Sequence, residues 1–159
     1  MKRVVALLME NQPGALSRVV GLFSQRGYNI ESLIVAPTDD PSLSRLTMTT
    51  EGDSKVVEQI TKQLNKLIDV VKVMDLSKEE FVGRELLLIK IKSSEDIKKS
   101  MSDSKGVVVY ESDELINVQF VGTSDELDSV IGSIPESEIL EIVRTGLSGI
   151  SSNERLLTI

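Results

Sequence analysis

The order of apolar spacings repeats along these 159 residues, and this repeat limits the possible folds more than any other feature. Alternating or continuous apolar runs, typical of strands, interchange with i, i+3, i+4, i+7 spacings, typical of amphipathic helices. In the first half, the pattern predicts strands at Val4–Met9, Ile30–Ala36, Ser44–Thr50 and Ile68–Met74. Helices are predicted after Pro13 and after Asp53, so the first half has the order β-α-β-β-α-β.

The second half has the same order of elements. Strands are predicted at Glu85–Lys92, Gly106–Tyr110, Leu115–Val121 and Glu138–Val143. A well-patterned helix begins at Ser124, whereas the helix predicted over 94–102 has only Ile97 and Met101 for its apolar face. Two halves of this kind in one chain indicate two small domains rather than one.

The order β-α-β-β-α-β is that of the split-βαβ, ferredoxin-like arrangement, in which a four-stranded antiparallel sheet has both helices on one face. The predicted fold class is therefore α+β, with two tandem ferredoxin-like domains over residues 1–77 and 83–159. Each half has an uncovered second sheet face and open edge strands, and about 75 residues bury little surface alone. We expect the other half or a second chain to cover this surface, and we predict an oligomer.

The chain contains no histidine and no cysteine. This excludes histidine acid–base catalysis, thiol nucleophiles and Cys/His metal sites, and no catalytic or metal-binding residues are predicted. The net charge is −7 and aromatic residues make up 3%, which argues against a nucleic-acid partner. No apolar run approaches the roughly 20 residues of a membrane span, so a cytoplasmic protein without a membrane partner is predicted. Acidic pairs such as Asp39–Asp40 fall in predicted turns and are interpreted as solvent-exposed.

One local motif has a chemical interpretation, the loop Glu10–Ser17 between the first predicted strand and helix. With Pro13 at the first helical position, free backbone N–H groups point out of the positive end of the helix dipole, where a small carboxylate can bind. These N–H groups belong to Gly14, Ala15 and Leu16. Asn11 adds an amide donor and a carbonyl acceptor, which suit a zwitterion. The alternative is an ordinary helix start with a side-chain cap, and spacing alone favours that alternative.

The first half contains the segments NQPGALSRV, GLFSQRGYNIESL, VAPTDDP, SRLT and QLNKLIDV, at residues 11–19, 21–33, 35–41, 44–47 and 63–70. Together these segments resemble the small, regulatory subunit of acetolactate synthase (acetohydroxyacid synthase). In the second half, the resemblance continues at Gly122–Ser124, Leu127 and Arg144–Gly146. The chain departs from the family's pattern over residues 92–106, where it is shorter and lacks the family's longer helix.

The resemblance implies that residues 1–77 form an ACT domain, an amino-acid-binding version of the ferredoxin-like fold. In the family, two ACT domains pair across chains and bind an amino acid, usually valine, between them. The loop residues that match this effector site are Asn11, Gly14, Ala15 and Leu16. The residues that match positions contributed by the partner chain are Asn29 and Ile30. With this resemblance, the carboxylate site becomes the favoured interpretation of the loop.

The resemblance also implies a chain without catalytic activity of its own. Such a chain binds a separate large catalytic subunit, raises its activity and confers feedback inhibition by valine or another branched-chain amino acid. Thiamine diphosphate, magnesium and FAD are expected on the large subunit, and no cofactor is expected on this chain. Two alternatives stay open. One is a stand-alone ACT-type sensor that regulates a different enzyme or transcription, and the other is an enzyme that uses carboxylates or lysines.

Overall fold

The computed structural model describes residues 2–94, 99 and 105–159. The chain forms two compact units. The first consists of Met1–Gly83 together with Leu147–Ile159, and the second consists of Arg84–Gly146. The described part of the chain contains no helix that is long and apolar enough to cross a membrane.

The first unit has the predicted βαββαβ order. Its elements are β1 (Lys2–Glu10), α1 (Ala15–Gln25), β2 (Ser32–Pro37), β3 (Leu43–Glu51), α2 (Ser54–Leu64) and β4 (Val70–Asp75). The strands form an antiparallel sheet in the order β2-β3-β1-β4, so β2 and β4 are the edges. The side chain of Asp53 accepts a hydrogen bond from the N–H of Val56 (2.9 Å), which is the predicted cap of α2.

The central strand β1 is buried on both faces. Alternate residues Val5, Leu7 and Met9 belong to the core that the sheet forms with the two helices. The helices contribute apolar residues at helical spacing to this core, namely Val19, Phe23, Val57, Ile60 and Leu64. Two-sided burial explains why β1 has a continuous apolar run, whereas strands with one solvent-facing side alternate.

The other face of β1 packs against the end of the same chain. Val4, Ala6 and Leu8 form a second core cluster with Leu147 and Leu157. Strand β9 (Ser148–Ser151) pairs with β5 (Phe81–Lys92), whose first residues belong to the same unit. The second face of the first unit's sheet is thus covered, as expected, by residues from the second half of the sequence.

The domain limits therefore differ from the predicted ones. The predicted domains were 1–77 and 83–159, whereas the first unit extends to Gly83 and includes the segment from Leu147 to Ile159. The physical reason is that Leu147 and Leu157 of this segment are removed from water by packing against the sheet of the first unit. Gly149 fits closely there, since a Cβ atom at this position would lie 2.9 Å from Cδ1 of Leu76.

The sheet of the second unit repeats the strand order of the first. Its strands are β5, β6 (Val107–Glu111), β7 (Leu115–Gly122) and β8 (Ile139–Arg144), in the antiparallel order β6-β7-β5-β8. Helix α3 (Ser124–Ser133) begins with a capping box formed by Thr123 and Glu126. The helix predicted over 94–102 lies almost entirely outside the described residues. The α+β class and the tandem ferredoxin-like arrangement are confirmed.

Leu157→Ala tests the cover on the second sheet face. Leu157 is 6% exposed and its neighbour Leu156 is 64% exposed, so the two form a matched pair. We expect Leu157→Ala to lower the free energy of unfolding by about 2–5 kcal/mol, the usual cost of truncating a buried leucine. Leu156→Ala should change it by less than about 0.5 kcal/mol. Urea denaturation, monitored by circular dichroism, measures both free energies. Equal effects of the two substitutions would contradict the burial of Leu157 against β1.

Candidate functional site

The loop between β1 and α1 turns sharply at Gly14. Gly14 has φ of +88°, in the left-handed region, and α1 begins at the next residue, Ala15. Pro13 therefore precedes the helix, and the prediction that it occupies the first helical position is wrong. The left-handed turn explains this difference, because it changes the chain direction one residue after the proline.

Several N–H groups at the start of α1 are free to bind a ligand. The N–H of Ala15 donates to the carbonyl of Gln12 (3.2 Å), which contradicts the prediction that it is free. Within the described residues, the N–H groups of Gly14, Leu16 and Ser17 have no acceptor. They lie at the positive end of the α1 dipole, where an anion is stabilised.

Asn11 is held at the edge of this loop by two hydrogen bonds to the β2–β3 turn. Its backbone N–H donates to the carbonyl of Ser42 (2.7 Å), and its Nδ2 donates to the carbonyl of Pro41 (2.9 Å). These bonds fix the orientation of the side-chain amide. The carbonyl oxygen of Asn11 is consequently the atom that a ligand ammonium group can approach.

A buried carboxylate connects the loop to β4. Asp69 is 1% exposed, and its carboxylate accepts hydrogen bonds from Nε2 of Gln12 (2.8 Å) and from Nε and Nη2 of Arg18 (2.8 Å for Nη2). Its backbone carbonyl accepts from the N–H of Glu10 (2.8 Å). The guanidinium of Arg18, followed by the amide of Gln12, holds the pKa of Asp69 below its usual range against the effect of burial.

Sequence reasoning missed this network. Asp69 lies inside the predicted strand Ile68–Met74, and Arg18 is 51 residues away from it along the chain. A carboxylate within an apolar strand was the only signal available. It shows that a cation must be close, because a buried charge needs a partner, but it does not show which cation.

Arg18 also adds positive charge beside Gly14. A Cβ atom on Gly14 would lie 2.8 Å from Nη1 of Arg18, so the guanidinium passes directly over the glycine. The side chain of Arg18 is 46% exposed and lines a groove of about 430 Å³ along α1, together with Gly14, Ser17, Gly21 and Leu22. A carboxylate near the free N–H groups is therefore also close to a cation.

The predicted site residues fall into two places. Asn11, Gly14, Ala15 and Leu16 come together at the end of β1, with Ala15 buried and Leu16 half-buried. Asn29 lies at the other end of the sheet, where its carbonyl accepts from Oγ1 of Thr50 (2.6 Å). Thr50 pairs with Arg3 at the start of β1, so one chain alone does not bring Asn29 to the loop. The remaining predicted residue is Ile30, half-buried next to Asn29.

Comparison with protein families matches both halves of the chain. The model of the AHAS small subunit-like ACT domain matches residues 5–72. The model described as the small subunit of acetolactate synthase matches residues 84–153.

Similar proteins match over nearly their whole length. The acetolactate synthase isozyme 3 small subunit of Salmonella typhimurium is 48% identical, with 99% of each chain covered. A probable acetolactate synthase small subunit of Methanothermobacter thermautotrophicus is 37% identical, over 97% of this chain and 95% of its own. The crystal structure of the acetolactate synthase small subunit from Thermotoga maritima has a TM-score of 0.90 at 32% identity, covering 98% of this chain and 99% of its own.

The pH dependence of stability tests the Asp69 network. Because the folded-state pKa of Asp69 is lowered, its stabilisation is present above the unfolded pKa of about 3.9 and is lost as the pH falls through the folded pKa. We expect Asp69→Asn to lower Tm at pH 7 and this difference to shrink as the pH falls below about 4.

Differential scanning calorimetry at several pH values measures the effect. Asp113→Asn, at an exposed position in the β6–β7 turn, is the control and should leave Tm nearly unchanged. A Tm difference for Asp69→Asn that is the same at pH 3 as at pH 7 would disprove the electrostatic role of Asp69.

Proposed function

The chain belongs to the family of acetolactate synthase small subunits, and from this premise we propose that it is a regulatory subunit without catalytic activity of its own. It binds a large catalytic subunit, raises the activity of that subunit and makes it sensitive to feedback inhibition by valine. Thiamine diphosphate, magnesium and FAD are bound by the large subunit. The observation that carries the ligand part of this proposal is the group of free N–H donors beside Arg18 and Asn11.

These groups suit a free amino acid. The ligand carboxylate accepts hydrogen bonds from the free N–H groups of Gly14 and Leu16, next to the guanidinium of Arg18. The ligand ammonium group donates to the carbonyl oxygen of Asn11, whose Nδ2 is already bonded to Pro41. The half-buried side chain of Leu16 offers apolar contact to a branched side chain.

A second copy of the chain supplies the rest of the proposed site. Strand β2 is an edge of the sheet, so its outer backbone groups are available for pairing with another chain. In an antiparallel pair of β2 strands, the start of one strand lies beside the end of the other. The partner's Asn29 and the partner's Ile30, just before its β2, would then lie beside the β2–β3 turn that holds Asn11. This supports a homodimer with effector sites shared between chains.

A shared site gives a simple route to regulation. An amino acid that contacts both chains binds most tightly to the dimer arrangement in which its two sets of contacts are formed, and it shifts the equilibrium toward that arrangement. A coupling of about 1–3 kcal/mol between the effector site and the large subunit changes affinity by about 5- to 150-fold. This is enough for feedback inhibition.

The direct test is reconstitution. Acetolactate formation by the large subunit is measured with and without this chain, at increasing concentrations of valine, leucine and isoleucine. We expect the chain to raise the activity and valine to reverse this increase. If the chain neither binds nor affects the large subunit, a stand-alone amino-acid sensor becomes the better interpretation. If the chain alone forms acetolactate, the proposal of a non-catalytic subunit is wrong.

Gly14→Asp tests the carboxylate position. The new carboxylate would lie next to Arg18 and compete with the ligand carboxylate for the same positive region. We expect the reconstituted enzyme to remain active and its inhibition by valine to require at least about tenfold more valine.

Gly14→Asn is the matched control, since asparagine has nearly the same shape without the charge. Asparagine and aspartate both tolerate the left-handed backbone better than other residues with side chains. We therefore expect Asn to cause a smaller loss of sensitivity than Asp. Wild-type inhibition in Gly14→Asp would remove the loop from the effector site.

Asn29→Ala tests the contribution from the partner chain. The side chain of Asn29 is exposed, and among the described residues only its backbone carbonyl takes part in a hydrogen bond, so truncation should not unfold the protein. Loss of a hydrogen bond to a charged ligand group should weaken valine binding by about ten- to one-hundredfold. Isothermal titration calorimetry measures this, with the exposed Asn65→Ala as control. Equal affinity for wild type and Asn29→Ala would exclude Asn29 from the site.

A further inference from the structure

A second cleft lies on the sheet face of the first unit that is opposite to α1 and α2. Leu46 and Met48 of β3 belong to the core on the helix side, so Arg45 and Thr47, which alternate with them along the strand, point to the other side. The cleft has a volume of about 380 Å³. Its walls include Ile34, Ala36, Asp39, Arg45, Thr47 and Leu157.

Arg45 is a half-buried cation without a carboxylate partner. Its Nη2 donates to the carbonyl of Gly149 (2.8 Å), and among the described residues no carboxylate lies within ion-pair distance of its guanidinium. In contrast, Arg18, Arg144 and Arg155 all form ion pairs. Burial lowers the pKa of the Arg45 guanidinium, which nevertheless stays protonated at neutral pH.

The incomplete pairing of Arg45 points to a missing anion. A guanidinium that is partly removed from water gains most from a planar carboxylate that accepts two parallel hydrogen bonds. One of its terminal nitrogens is bound to Gly149, and its remaining donors have no acceptor in the part of the chain that the structure describes. None of these donors is a buried atom without a partner, so they are open to the cleft and to solvent.

The rest of the cleft selects among anions. The side chains of Ile34, Ala36 and Leu157 provide an apolar wall, which disfavours phosphate and other strongly hydrated ions. Asp39 lines the same cleft and has no ion-pair partner among the described residues. A cation, a carboxylate and an apolar wall in one cleft suit a zwitterion with a short apolar side chain.

We propose that this cleft binds a small monocarboxylic acid with a short apolar chain, whose carboxylate is held by Arg45. The apolar chain lies against Ile34 and Leu157. A ligand that also carries an ammonium group gains an interaction with Asp39, so an α-amino acid binds more tightly than the corresponding 2-oxo acid. The site is formed within one chain, on the opposite sheet face from the β1–α1 loop, and it does not depend on the function proposed above.

Methyl-labelled full-length protein provides a separate reporter for each site. The methyl signals of Ile34 and Leu157 report on the cleft, and those of Leu16 report on the start of α1. Valine, 2-oxoisovalerate and valine amide are the three probes. We expect saturable shifts of Ile34 and Leu157 with valine and 2-oxoisovalerate, and at least tenfold weaker binding of valine amide, which lacks the carboxylate.

Variants then test which charged residues contact the carboxylate and the ammonium group of the ligand. Arg45→Gln should weaken the binding of both acids at least tenfold. Arg45→Lys keeps the charge but cannot donate two parallel hydrogen bonds, so it should weaken binding by less than Arg45→Gln. Lys66→Gln is the control, since Lys66 is an exposed cation of the same unit that does not line the cleft. Asp39→Asn should weaken valine binding and leave 2-oxoisovalerate binding unchanged.

Two results would overturn the proposal. One is the absence of saturable shifts at Ile34 and Leu157 up to the solubility limit of valine. The other is wild-type affinity in an Arg45→Gln variant whose Leu46 methyl signals show that it is folded. Shifts confined to Leu16 would leave the proposed regulatory function standing and exclude this site. Shifts confined to Ile34 and Leu157 would support this site and exclude amino-acid binding at the start of α1.

Discussion

The two-sided burial of β1 is the constraint on which the first unit depends. A strand with apolar side chains on both faces is stable only when both faces of its sheet are covered. Helices α1 and α2 cover one face, and Leu147 and Leu157 cover the other. The ACT-like unit is therefore not a contiguous stretch of sequence. Its central strand needs residues that follow the whole second unit in the chain, and this links the folding of the first unit to the presence of the chain's last segment.

Local patterns predicted the fold well because each element has its own periodicity. The strands and helices of the first unit are found within a few residues of the predicted limits, and Asp53 caps α2 as expected. Two features could not be predicted in this way. Leu147 and Leu157 lie in a segment whose other apolar residues, Ile150, Leu156 and Ile159, are exposed, so no period marks the two leucines as core. The ion pair of Asp69 with Arg18 joins residues 51 positions apart, and only tertiary structure brings them together.

The candidate site likewise combines features that the sequence predicted with features that only the folded chain shows. The sequence indicated the free N–H groups of Gly14 and Leu16, because they follow from the helix itself, but it wrongly included that of Ala15, which donates to Gln12. It misplaced Pro13, because the left-handed turn at Gly14 is a property of the folded loop. It also did not show that Asp69 and Arg18 hold the loop in place before any ligand binds. A loop held in this way loses little conformational entropy on binding, so more of the interaction energy contributes to affinity.

The absence of histidine and cysteine has a clear meaning in this arrangement. The groups that line the proposed effector site are backbone N–H groups, the amide of Asn11 and the guanidinium of Arg18, and none of them changes its charge between pH 5 and 9. The pKa of Asp69, which holds Arg18, is lowered further away from that range. The proposed recognition of an amino acid at this loop therefore rests on no group of the loop that changes its charge between pH 5 and 9.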